Sequence, residues 1–249
     1  MFKKAFSQPD IFKAFVKDFI GIDLKINKVE MEKQFFPIIG KVDTRFDLFA
    51  EDISNRVIVD IQHVRYGDHY DRFLHYHCVA LLEQIASSTN YRPNLKVFTI
   101  VVLTSGDKHK VDMATTDFAP KDRKGKPLKE LPHKILFLSP KYVTDETPEP
   151  YREWLLAIAD SLDEEVDETA YQRKEIRHVF DLIEQDLVSP KERFKMKDEY
   201  GMEEIQRDKF EQGQQTKALE IARSLLAEGF DPDTVAKTTG ISADDLVDL

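Results

Sequence analysis

The segment spanning residues 42–62, VDTRFDLFAEDISNRVIVDIQ, constrains the fold more than any other stretch, because it reads as two β-strands joined by a short polar connection. Arg45-Phe46-Asp47-Leu48-Phe49 alternates, Val57-Ile58-Val59-Asp60-Ile61-Gln62 is strongly β-branched, and the residues between them suit a hairpin turn. Each strand carries one carboxylate, Asp47 in the first and Asp60 in the second. An acid in an apolar strand is costly to desolvate unless a cation meets it. The pair is therefore a candidate metal site, with hard oxygen donors suited to Mg²⁺ or Mn²⁺. Period-two alternation sets Asp60 and Gln62 on one face and Ile61 on the other, so a carboxylate lies beside a neutral hydrogen-bonding group. A strand carboxylate can equally just face solvent; the placement of Gln62 is what lifts this pair above that reading.

The elements around the hairpin predict an α/β domain. Ile11, Phe12, Phe15 and Phe19 recur at helical spacing over residues 10–19, and a second helix is expected from about His69 to Ser87. The run Val97 to Leu103 is continuously apolar and predicts a buried central strand; Ile135 to Leu138 predicts a fourth strand, stopped by Ser139-Pro140. Beyond Thr144 the pattern is helical. Pro148 and Pro150 open a helix through Trp154, Leu155 and Ile158, and another is expected over about 168–187. Residues 191–215 are charged with scattered apolar positions, which suits an exposed helix or a linker. A terminal module follows, with helices ending at Gly229 and Gly240 and a last one starting at Ser242. The expected division is 1–145 and 146–249.

Asp47, followed after twelve residues by Asp60-Ile61-Gln62, resembles the D…(D/E)-x-K core of the PD-(D/E)XK nuclease superfamily. The closer likeness is to its transposase-like, recombination-promoting branch, where Gln commonly stands in place of Lys. Phe2-Lys3-Lys4-Ala5-Phe6 is similar to that branch's opening FKxxF, the 68–76 segment DHYDRFLHY to its Arg- and Tyr-bearing helix, and the 133–138 segment HKILFL to its late strand. The resemblance implies a restriction-endonuclease-like core, a mixed sheet of about four strands flanked by helices, followed by an all-helical C-terminal region. It also implies phosphodiester hydrolysis on DNA. In that reading Asp47 and Asp60 hold Mg²⁺ or Mn²⁺, Gln62 positions the attacking water, and Arg72 and Tyr76, four apart on a helix, reach a neighbouring phosphate. A helix before the core often supplies another carboxylate; Glu30 and Glu32 are the candidates, Glu32 preferred as nearer the core, with Asp43 a rival. Gln62 carries no charge and so lacks the electrostatic role of a lysine. That leaves open an alternative, a weak or inactive nuclease-fold protein acting as a protein- or DNA-binding module.

Charge and composition bear on partners. The formal net charge is −10, but through Asp145 Lys plus Arg outnumber Asp plus Glu 23 to 19, and beyond it they fall short 13 to 27. The half that carries the hairpin is mildly basic, so local cations such as Lys3, Lys4, Lys13, Lys17 and the 121–126 loop can supply phosphate contacts. Four histidines, His63, His69, His75 and His77, lie close in sequence, but His75 and His77 face apart on a helix and the single cysteine, Cys78, sits in an apolar run, which disfavours zinc. His63 is kept as a neighbour of the site. One cysteine, no apolar run of roughly 20 residues and no signal-like start lead to the expectation of a cytoplasmic protein without a membrane span. The terminal module resembles a helix-turn-helix, yet its last helix carries Asp244, Asp245 and Asp248 and no Lys or Arg, which favours packing or protein contact over base reading. Homo-oligomerisation through the C-terminal helices is a further expectation.

Overall fold

The apolar run predicted as a central strand is β4 (Lys96–Leu103), buried from Val97 onward. A strand apolar on both faces needs neighbours on both sides and cover above and below. It has parallel partners in β3 (Asn55–Gln62) and β6 (Lys134–Leu138). The hairpin partner β2 (Thr44–Glu51) runs antiparallel to β3, with Leu48 opposite Val59 and Glu51 opposite Arg56. Two further strands, β1 (Glu30–Phe35) beside β2 and β5 (Met113–Asp117) beside β6, complete a mixed six-stranded sheet in the order β1-β2-β3-β4-β6-β5. The computed structural model describes residues 2–35, 44–63, 67, 69–85, 93–128, 130–161, 168–184 and 217–241.

The expectation of about four strands is thus corrected to six. The two additional strands sit at the edges. EMEKQF and MATTD are mostly polar and only partly buried, and neither shows the apolar signal of a strand; pairing with a neighbour supplies what their composition does not. The stretch around Glu30 and Glu32, expected on a helix, is accordingly β1.

Helices cover both faces. On one face α1 (Phe2–Phe6), α2 (Pro9–Ile20), α4 (Tyr151–Asp160) and α5 (Lys174–Glu184) pack through Phe6, Phe12, Phe15, Trp154, Ile158 and Phe180 against Leu48, Val57, Val59, Ile100, Val102 and Leu136. On the other, α3 (His69–Leu82) packs Phe73, Tyr76 and Val79 against Phe46, Ile58, Val101 and Phe137. Each fully buried aromatic contributes on the order of 1.5–3 kcal/mol by leaving water. Helix α2 starts with Pro at its first position and stops at Gly21, whose φ of 78° lets its N–H return to the Lys17 carbonyl at 2.8 Å.

The chain divides into two compact units, Met1–Ser189 and Pro190–Leu249. The 145/146 boundary expected from sequence lies inside the first, because α4 and α5 bury their apolar stripes in the same core as α2. Trp154 is fully buried and donates its indole N–H to Asp18 Oδ2 at 2.6 Å. In the second unit a helix over 217–227 leads to Gly229 and then to α7 (Pro232–Thr239; the 217–227 helix is α6), with Asp231 capping its start and Gly240 its end. Ala222 and Val235 form its buried centre. The charged stretch 191–215 and the helix expected from Ser242 lie outside the described residues.

Candidate active site on the central hairpin

The backbone ladder between β2 and β3 is regular from Glu51/Arg56 to Leu48/Val59, and one step further the carboxylates take over. Asp47 N–H donates to Asp60 Oδ1 at 3.0 Å, and Ile61 N–H donates to Asp47 Oδ2 at 2.8 Å. Each acid therefore ties down one oxygen by bonding the opposite strand, which fixes the orientation of the other.

Strand alternation slips at this point. Phe46 and Phe49 pack on the α3 face while Leu48 and Ala50 pack on the opposite face, so the alternation of β2 breaks around Asp47. The irregularity continues in β1. Met31 pairs with Leu48 and Lys33 with Phe46, and between them Glu32 adopts a φ of 57°, left-handed for a non-glycine residue. Glu32, Asp47 and Asp60 thus occupy successive positions across β1, β2 and β3. The third acid considered from sequence, Asp43, lies outside the described residues, and Glu30 turns to Lys33 at 3.2 Å.

Burial sets the charge balance. Asp60 is only 5% exposed, and its Oδ2 has no hydrogen-bond partner among the described residues. Burial, reinforced by repulsion from Asp47, pushes its pKa up to about 8, against the opposing effects of the Asp47 N–H, Arg72 and Lys3. The cation beside Asp47 is Lys3 of α1, with Nζ 2.7 Å from Asp47 Oδ1 and 3.1 Å from Glu32 Oε1. Burial works against the charged lysine, but Asp47 and Glu32 outweigh it and its pKa is raised. Arg45 makes a second ion pair to Glu32.

Gln62 lies two residues beyond Asp60 on the α3 side. Arg72 of α3 donates to Gln62 Oε1 at a long 3.5 Å and to the Tyr76 hydroxyl at 3.3 Å, with its guanidinium 5.4 Å from the Tyr76 ring centre. The packing of Arg on Tyr and the approach to the hairpin are therefore both present. The exposed Arg72 extends this edge toward solvent, and Tyr76 is buried. His63 Nδ1 lies 3.0 Å from Thr104 Oγ1, and His63 also accepts at its carbonyl from Ser105. His77 is fully buried against Thr99, 2.9 Å from its hydroxyl, while His75 is exposed. Among the described residues no group of three His, Cys, Asp or Glu is arranged to hold a metal.

The donor set can nevertheless accommodate a divalent ion at Asp47 and Asp60. Two carboxylates meet, one of them buried with an oxygen left over, and the other already binding an ammonium through Oδ1. These are the hard oxygen donors that Mg²⁺ or Mn²⁺ prefers. Lys3 was foreseen only as one of several basic residues able to meet phosphate. Nothing in its spacing announces a partner in β2, because the contact is made by docking α1 onto the sheet.

Two family models match the chain. The PD-(D/E)XK nuclease family transposase model covers residues 1–211, and that of the C-terminal HTH domain of the Rpn/YhgA-like nuclease family covers residues 215–249. No match was found among curated proteins or solved structures. No helix among the described residues is long and apolar enough to cross a membrane. A mixed sheet with the paired carboxylates on its central hairpin, matched over most of its length by the first model and at its end by the second, the chain belongs to the transposase-like PD-(D/E)XK nuclease family.

Proposed function

We propose that the protein is a metal-dependent DNA endonuclease of the recombination-promoting kind, hydrolysing phosphodiester bonds at the Asp47–Asp60 hairpin. The observation that carries this reading is Asp60: a buried carboxylate facing a second carboxylate, with Oδ2 lacking a partner among the described residues. A fold that only needed stability would place an apolar residue there. Asp47 and Asp60 would hold Mg²⁺ or Mn²⁺ through their carboxylates. The bound ion would polarise the scissile phosphate and lower the pKa of an attacking water. The chain's own groups orient the rest. Gln62 accepts or donates a hydrogen bond to the water, and Arg72, steadied by Tyr76, binds a phosphate oxygen next to the cleaved bond. Glu32 serves as an additional acid at the rim. The name of the C-terminal HTH domain model supports DNA as the partner.

Supercoiled plasmid incubated with the protein and Mg²⁺ or Mn²⁺ tests this. Nicking should appear, stop with EDTA, and fall by at least about a hundredfold in Asp60→Asn. Equal nicking by Asp60→Asn would assign the activity elsewhere. No nicking by the natural chain would favour the alternative prompted by the uncharged Gln62, a nuclease fold used for binding.

A further inference from the structure

Asp47 Oδ2 is engaged by the Ile61 N–H, which leaves Oδ1 as the oxygen of this acid available to a cation. Lys3 holds it at 2.7 Å. Asp60 is the reverse: Oδ1 accepts from the Asp47 N–H, and the buried Oδ2 has no partner among the described residues. A divalent ion shared by the two acids needs Asp47 Oδ1, the atom the ammonium occupies. Two cations on one oxygen repel strongly at such short separation, most of all beside a buried wall.

Glu32 gives the ammonium another place. Its Oε1 is 3.1 Å from Lys3 Nζ, and its Oε2 pairs with Arg45. Of the non-glycine residues at positive φ among the described residues, Glu32 alone lies within a strand. That conformation is disfavoured for L-residues, and here it coincides with a carboxylate turned to two cations.

We propose that Lys3 is a tethered competitor for the divalent ion at Asp47 Oδ1, and that Glu32 retains the ammonium when the ion displaces it. The inference rests on the metal-dependent reading above. It makes α1 part of metal loading: the ammonium compensates the acids in the apo protein and must shift toward Glu32 as the ion enters.

The test is a calorimetric titration with Mn²⁺ of the natural chain, Lys3→Gln, Lys3→Met, Lys3→Arg and Asp60→Asn, paired with thermal unfolding in EDTA and in Mn²⁺. Lys3→Gln and Lys3→Met should bind Mn²⁺ roughly three- to tenfold tighter, the scale of a half-exposed ion pair that no longer has to be broken. Lys3→Arg, which keeps the charge, should stay near the natural affinity. In EDTA the two uncharged variants should melt below the natural chain, and their rise on adding Mn²⁺ should be larger. Should Lys3→Met not fold, Lys3→Gln carries the comparison. Uncharged variants binding no tighter than the natural chain, with binding still lost in Asp60→Asn, would overturn the competitor role and leave the metal site standing, as would equal tightening in Lys3→Arg. Absence of Mn²⁺ binding in the natural chain and in Lys3→Gln alike would overturn both.

Discussion

Replacing Asp60 by Asn should stabilise the metal-free protein, and increasingly so as the pH rises. The folded Asp60 has its pKa lifted from 3.8 to about 8, first by burial and then by Asp47. Below pH 4 the acid is protonated folded or unfolded, and the shift has no effect. Between pH 4 and 8 the unfolded chain releases the proton while the folded chain keeps it, so stability falls with rising pH at up to about 1.4 kcal/mol per unit. The full four-unit window would amount to about 6 kcal/mol. Relaxation and water entry around a buried acid reduce such a figure, so about half of that, ~3 kcal/mol by pH 8, is the expected size. Asn keeps an oxygen for the Asp47 N–H and removes the titration. The chain's single tryptophan, Trp154, is buried in the same unit and reports its unfolding by fluorescence. Urea unfolding in EDTA at pH 5, 6.5 and 8 should show the variant's advantage over the natural chain growing steadily. An advantage that does not change with pH, or a variant less stable at pH 8, would refute the claim that a buried, charge-opposed acid sits at residue 60.

Two further expectations concern the scaffold. His77 is buried beneath Phe118, and burial, with His133 nearby, depresses its pKa to about 4; a depressed histidine contributes stability above pH 6.5 that is lost as pH falls toward 4, about 3 kcal/mol. His77→Gln should flatten that acid limb in the same urea experiment, and an unchanged limb would place the acid sensitivity elsewhere. Gly106, at φ 69°, leaves no room for a Cβ, which would fall 2.4 Å from Tyr142 Cε2; Gly106→Ala should cost about 2–4 kcal/mol, and a loss under ~0.5 kcal/mol would mean that Tyr142 moves freely aside.

The parts of the fold legible in the chain were those whose signal is local. The β2–β3 hairpin, the continuous apolar β4, the Phe stripe of α2 and the glycine-stopped helices of the second unit each follow from periodicity or from a residue with special backbone freedom. Edge strands β1 and β5 were not legible. EMEKQF and MATTD carry no apolar alternation, and they are strands because β2 and β6 offer them hydrogen bonds. Nor was the extent of the first unit, since the apolar residues of α4 and α5 announce helices but not which core receives them.

The candidate site divides the same way. Sequence alone determined that Asp47 and Asp60 belong to adjoining strands and that Asp60 and Gln62 share a face, because strand alternation and hairpin connection are local consequences of residue order. Tertiary structure decided that Asp60 is buried while Asp47 meets an ammonium, that the ammonium belongs to Lys3 on a helix at the far end of the hairpin's sequence neighbourhood, and that Arg72 of α3 closes on Gln62. Burial and charge pairing depend on which elements cover a given atom. That is set by the packing of the whole sheet against its helices and not by any spacing along the chain.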